Sequence, residues 1–227
     1  MAQTRFTSRT GGVSNGAFAD FNLALHVGDK PDSVNANRAR LSELTGISQA
    51  RTFYMNQVHG AEVFEVRASS SSATTPTADA LFTTEPGVAL VVLTADCIPL
   101  LLSSPTAIAA VHVGRKGLVA GVLDSTLACF AQSGAAGAEI TAELGAAICG
   151  DCYEVDLQTY REVTRAHPAT ATDEARHHLD LIAGVLAALN RVGARTLVSQ
   201  DCTVHSPGYF SYRRDGVTGR QASVIWL

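Results

Sequence analysis

The stretch that decides the fold runs from Val88 to Gly121, VALVVLTADCIPLLLSSPTAIAAVHVGRKGLVAG. Its first apolar, β-branched run, Val88 to Leu93, reads as a buried strand, and its second, Ile108 to Val113, as another. The first strand gives way to Thr94-Ala95-Asp96-Cys97, where polar and reactive groups replace apolar ones. The second carries His112 near its end, then Gly114-Arg115-Lys116-Gly117 and an apolar, helix-like run. A thiol and an imidazole are therefore expected near the ends of two adjacent core strands, where a rigid scaffold presents chemistry.

Around this stretch lies a globular composition. The 227 residues are 46% hydrophobic and 17% charged, enough for one large core, with no linker dividing the chain. A formal net charge of −4 disfavours nucleic acid and anionic membranes as partners. The polar, Gly-rich start has no apolar h-region, so no secretory leader is expected. No apolar run approaches the ~18 residues that span a bilayer. Five cysteines, an odd number, fit a reducing cytoplasm better than a disulfide framework. A monomer is expected, although no feature of the sequence reads out an oligomeric state.

Upstream, a helix is expected from an N-cap at Asp32 or Ser33 through Leu44, with Gly46 stopping it. Thr52–Val58 and Ala61–Val66 read as strands joined tightly through His59-Gly60, and SSSSATTPT (69–77) as a mobile loop. Downstream, helices are expected over Leu118–Phe130, Asp156–Arg165 and Asp173–Val192. Strands are expected over Glu139–Cys149, Thr196–Val204 and Gln221–Leu227. Several strands adjacent in sequence favour a mixed α/β (α+β) domain over a doubly wound one. Cys129 reads as a small buried hydrophobe, and His177 and His178 as surface residues.

Three residues stand out chemically: His59 beside a tight Gly turn, Cys97 after a buried strand, and His112 fifteen residues further on. Together they make a His2Cys set, which suits a catalytic zinc with an open fourth position. The same residues allow a metal-free reading, with Cys97 as nucleophile and His112 as its base. Asp96 is a weak third member for that dyad, because neighbouring strand residues point to opposite faces. Cys149 and Cys152 form a C-x-x-C with no second C-x-x-C to close a zinc site. They read as structural thiols, dispensable for chemistry.

At these residues the chain resembles the YfiH-like family, also called the laccase-domain or multicopper polyphenol oxidase family and the peptidoglycan editing factors. The resemblance runs through TSRTGGVSNGAF, NLALHVGD, NANRARL, NQVHGAEV, ADALFT, LTADCIPLLL, AVHVGRKGLVAGVL, CYEV, HLDL and FSYRRDGVTGR, in order. It implies a single α/β domain over 1–227 with a two-layer mixed β-sheet core flanked by helices, distantly like a deamidating toxin domain with a Cys–His dyad. It implies metal ligation by His59, Cys97 and His112. One departure is that Gly114-Arg115-Lys116-Gly117 replaces the family's Gly-Trp-Arg-Gly, substituting a point charge for a planar fork.

The implied activities are phosphorolysis of adenosine, inosine, guanosine and methylthioadenosine, and deamination of adenosine, with nucleoside and phosphate as small-molecule partners. Candidate substrate contacts are Asn22, Arg38, Gln57, Lys116 and Arg213. Arg214 and Arg220 are further candidates for phosphate. Zinc is favoured over copper, since multicopper sites use His-x-His pairs and the chain has none. The competing expectations are a cell-wall editing amidase acting on muropeptide precursors with a wrong amino acid, a copper polyphenol oxidase (laccase), and a non-catalytic binding domain.

Overall fold

The computed structural model describes residues 2–135 and 137–227. In chain order the strands are β1 (Gln3–Phe6), β2 (Thr52–Phe53), β3 (Val63–Glu65), β4 (Ala80–Thr83), β5 (Ala89–Thr94), β6 (Ile98–Ser103), β7 (Ile108–Val113), β8 (Thr141–Leu144), β9 (Arg195–Val198) and β10 (Gln221–Trp226). The helices are α1 (Pro31–Thr45), α2 (Arg115–Ala120), α3 (Val122–Gln132), α4 (Leu157–Ala166), α5 (Leu181–Arg191) and α6 (Tyr212–Asp215). The strands form two mixed sheets, ordered β1-β10-β5-β2 and β3-β4-β7-β6-β8-β9. Among the described residues no helix is long and apolar enough to cross a membrane.

The central strands are apolar on both faces because both faces are covered. Along β5, Leu90 and Val92 enter the core between the sheets, while Ala89, Val91 and Leu93 pack outward with Leu41 of α1. Along β7, Ile108 and Ala110 face the inter-sheet core, and Ala109, Val111 and Val113 pack beneath α3 and α5. The result is helix, sheet, sheet, helix, as the apolar runs require.

β5 and β7 lie where the sequence places them; α1 begins earlier than expected, at Pro31 with Lys30 as its N-cap instead of Asp32 or Ser33, because proline suits the first helical position, and Gly46 ends it at φ 71°. Asp156 caps α4 by accepting from the Thr159 N–H. The stretch between the two expected strands holds a third, β6, so β5 and β7 belong to different sheets and face each other across the core. Cys97 thus sits in the three-residue crossing from one sheet to the other, just before β6. The Thr52–Val58 and Ala61–Val66 strands are not a hairpin. β2 pairs with β5 and β3 with β4, because the N–H groups around His59 bond to a buried carboxylate instead of a partner strand.

Four further expectations are too long. The Leu118–Phe130 helix breaks at Gly121, φ 91°, into α2 and α3. The strands expected over Glu139–Cys149 and Thr196–Val204 shrink to β8 and β9. The helix expected from Asp173 begins only at Leu181, capped by Asp180. The segment before it is held as an extended partner of Tyr153–Val155 by Leu179 N–H to Tyr153 O and Val155 N–H to His177 O. The buried stripe of α5 is accordingly Leu181, Gly184, Val185, Ala188 and Leu189.

Candidate metal centre and its cavity

Three separate elements deliver the reactive side chains to one point. His112 lies on β7 directly opposite Pro99 of β6, so Cys97, two residues before Pro99, ends up beside it. His59 comes from the crossover between β2 and β3 and adopts φ 60°, a left-handed conformation that is uncommon for a β-carbon residue. The buried carboxylate of Asp79, at the start of β4, holds that turn. It accepts from the N–H groups of Val58 (3.1 Å), His59 (2.9 Å) and Gly60 (2.6 Å). The same carboxylate takes Nδ1 of His112 at 2.7 Å.

With Nδ1 engaged, Nε2 of His112 is left as the outward nitrogen. A carboxylate behind a histidine in this manner fixes the tautomer and orientation of a metal-ligating imidazole. Sγ of Cys97 lies 3.8 Å from Nε2 of His59, and the two imidazoles stack edge-on at 4.7 Å. The three donor atoms lie within 4.8 Å of one another, and two imidazoles with one thiolate are a coherent set for a transition metal. Close approach of Gly114 makes room for this. A β-carbon there would lie 2.6 Å from Cδ2 of His59 and 3.2 Å from Sγ of Cys97.

The electrostatics match. Burial opposes ionisation of Cys97, but the charges and hydrogen bonds of His112 and His59 outweigh it and bring the thiol down to about 6. Burial likewise opposes a charged His112, yet the Cys97 charge and the Asp79 bond hold it up to about 9. Thiolate is the metal-binding form of cysteine, so this environment favours a ligand or a nucleophile over an inert core thiol.

The set forms part of the wall of a cavity of about 450 Å³, within the range of small-molecule sites. Arg213 and Arg220 bring positive charge to it, Tyr153 and Tyr212 aromatic faces, and His26, Gln57 and Thr94 polar groups. The Thr94 hydroxyl is buried at this wall without a hydrogen-bond partner. The Arg213 backbone N–H is anchored to Asp96, 2.7 Å, and its guanidinium caps the Glu154 carbonyl, 2.8 Å, over the Tyr153 ring. Asp96, at φ 99°, turns away from His112 and instead also binds the Thr203 hydroxyl, 2.6 Å.

Of the expected substrate contacts, Gln57 and Arg213 line this cavity and three do not. Asn22 is fully buried and spends its amide on Ala24, Asp29 and the Arg220 N–H, so it positions the Arg220 segment instead. Arg38 donates to the Leu23 carbonyl and stacks on Tyr54 at 3.8 Å, and neither residue lines the cavity. Lys116 lines a smaller cavity of about 270 Å³ with Arg115, on which His59 and Cys97 also open. Even Gln57 commits its amide to both backbone groups of Leu93. Arg214 is occupied by Asp215 and the Thr203 and Tyr209 carbonyls. Composition and spacing do not single out Asp79, His26, Tyr153 or Tyr212, although they lie in the ADALFT, NLALHVGD, CYEV and FSYRRDGVTGR motifs.

The family described as multi-copper polyphenol oxidoreductase laccase matches residues 3–227. A purine nucleoside phosphorylase of Streptomyces coelicolor is 45% identical over 98% of this chain and 94% of its own length. A solved Neisseria meningitidis protein is 38% identical, with a TM-score of 0.89 over 100% of this chain and 94% of its own. The Bacillus licheniformis protein YfiH superimposes with a TM-score of 0.93 at 27% identity, covering 100% of this chain and 92% of that one. With its two packed mixed sheets and the His59, Cys97 and His112 set where they cross, the chain belongs to this YfiH-type laccase-domain family.

Proposed function

We propose that the protein is a zinc-dependent purine nucleoside enzyme of the cytoplasm that phosphorolyses adenosine, inosine, guanosine and methylthioadenosine and deaminates adenosine. The observation that carries this is the junction of the His2Cys set with a cavity bearing two arginines, two tyrosines and an unpartnered Thr94 hydroxyl. Relatives at 37–45% identity are named purine nucleoside phosphorylases. Zinc is preferred to copper because multicopper sites use His-x-His pairs and the chain has none. When held by His59, Cys97 and His112, zinc supplies Lewis acidity and lowers the pKa of water.

The chain's own residues do the rest. Tyr153 and Tyr212 offer aromatic faces to the purine, and Thr94 and His26 offer hydrogen bonds to its polar atoms or to the ribose. Arg213 and Arg220 carry the positive charge that phosphate requires. In phosphorolysis a phosphate oxygen bonds to C1′ as the C1′–N9 bond breaks, and the departing purine takes up a proton. In deamination the oxygen of water bonds to C6 and ammonia leaves. Chromatography of adenosine incubations should show adenine and ribose 1-phosphate only with phosphate present, and inosine without it. Absence of both products would sink the reading.

A second reading rests on the Asp79–His112–Cys97 line, which also has the form of a thiol nucleophile, its base and an orienting carboxylate. That arrangement suits amide hydrolysis, including the editing of muropeptide precursors. Activity on such a precursor that survives exhaustive chelation would select it over the metal-dependent one.

A further inference from the structure

A second group of metal-type donors stands apart from the centre described above. Cys149 and Cys152 lie in a tight turn, closed by the Cys152 N–H on the Cys149 carbonyl at 3.1 Å. Facing them is a second turn, Cys202 to His205, closed by the Ser206 N–H on the Cys202 carbonyl at 2.9 Å. The sequence supplies no second C-x-x-C, but the fold supplies a C-x-x-H from a segment fifty residues further along the chain. This overturns the premise that the C-x-x-C lacks a partner pair.

The four donor atoms of Cys149, Cys152, Cys202 and His205 lie within 4.8 Å of one another. Sγ of Cys152 is 3.1 Å from Nε2 of His205, and Sγ of Cys202 accepts the Cys149 backbone N–H at 3.4 Å. Two sulfurs bound tetrahedrally to zinc stand roughly 3.8 Å apart, given Zn–S bonds near ~2.3 Å. The four side chains therefore need only small rotations to close on one ion. All five cysteines of the chain are free, so no disulfide competes for these thiols.

We propose that Cys149, Cys152, Cys202 and His205 form a closed, structural Cys3His zinc site that no substrate enters. Four protein donors saturate tetrahedral zinc, which distinguishes this site from the three-donor centre at His59. Three thiolates select zinc over magnesium or calcium.

Its role follows from what the two turns carry. Ile148 and Tyr153, flanking the first turn, line the substrate cavity. Thr203, inside the second, donates to Asp96 at 2.6 Å, and Asp96 in turn anchors the Arg213 N–H. Among the described residues the turns are joined by backbone through the short Ala147–Cys202 bridge and its Thr203 N–H to Ala147 O bond. A metal there ties the cavity's Tyr153 wall to its Arg213 wall.

The test is zinc content of the purified full chain by elemental analysis, with thermal unfolding in parallel. Wild type should hold two zinc ions, and Cys97→Ser should hold one. Cys152→Ser/Cys202→Ser should also lose one zinc and unfold at lower temperature, while its catalytic centre still retains one. An unchanged zinc content in Cys152→Ser/Cys202→Ser would overturn the proposal. If that variant does not fold, cobalt loading of stripped Cys97→Ser decides. Strong thiolate-to-cobalt charge-transfer bands must persist there, since the remaining site is rich in thiolates. Their absence, or a mass two hydrogens light from a Cys149–Cys152 disulfide in the native chain, overturns the site. Failure of the His59 centre would appear differently, as a zinc content that Cys97→Ser leaves unchanged.

Discussion

Asp79 and His112 meet at 2.7 Å, and the carboxylate that takes the imidazole also gathers the backbone N–H groups of Val58, His59 and Gly60. One buried side chain thereby sets the orientation of the His112 ring and the backbone that carries His59. Asp79→Asn keeps the size but offers one acceptor oxygen where four donors converge. Metal affinity at the candidate centre should fall about 10–100-fold, the usual effect of losing such a partner. Metal titration against a chelator of known affinity reads this. An unchanged affinity would reduce Asp79 to a turn brace.

Cys97→Ser should abolish turnover with little loss of fold. Serine is nearly the same size but is a poor zinc ligand and a weak nucleophile. A drop of about 10²–10⁴-fold in kcat/KM is expected, the range in which a directly acting group contributes. Thermal unfolding should move little. Near wild-type turnover would return Cys97 to the status of a packing residue.

Gly114→Ala tests the close approach at the site. The added methyl would lie 2.6 Å from the His59 ring, so the ring must leave its place or the strand end must shift. Overpacking of this kind costs about 1–3 kcal/mol. Activity should fall much further than stability does. Equal retention of both would show that the turn carrying His59 yields freely.

Protonation of the metal-free centre has a defined window. The thiol of Cys97 is held down to about 6, so its stabilising contribution is present above the unfolded value and disappears as pH falls through about 6. His112 is held up to about 9, so its contribution is present below the unfolded value and disappears as pH rises through about 9. After chelation, the rate of iodoacetamide alkylation at Cys97, followed by peptide mass spectrometry, should rise with a midpoint near about 6. A midpoint in the ordinary thiol range, roughly 8.5, would remove the ion pair.

Lys116 offers the clearest handle on reaction balance. It lines the smaller cavity that shares His59 and Cys97 with the larger one, and it stands where the YfiH-like resemblance implies arginine. A point charge cannot bind phosphate through two parallel hydrogen bonds. Lys116→Arg should raise phosphate-dependent adenine release about 10-fold, the effect of ~1.4 kcal/mol of added binding, and leave inosine formation unchanged. Equal changes in both products would place Lys116 outside phosphate binding.

Much of this protein is determined by its sequence alone. The apolar runs of β5 and β7, the Gly46 stop of α1 and the Asp156 cap are local signals, and periodicity and capping chemistry read them directly. That His59, Cys97 and His112 stand out at a tight turn and two strand ends is also a local signal, and their grouping as one set is what the YfiH-like resemblance implies; the structure brings the three donor atoms within 4.8 Å of one another. Only the tertiary structure decided what stands behind and around that set. Asp79 reaches His59 and His112 across twenty and thirty-three residues, and Cys202 and His205 complete a donor cluster begun at Cys149, fifty-three residues earlier. The Thr52–Val66 region likewise reads as a hairpin because the sequence does not show which acceptor its N–H groups will find. Hydrogen bonds and ligand sets are matters of distance between segments. Their partners become visible only when the two sheets have packed and brought those segments together.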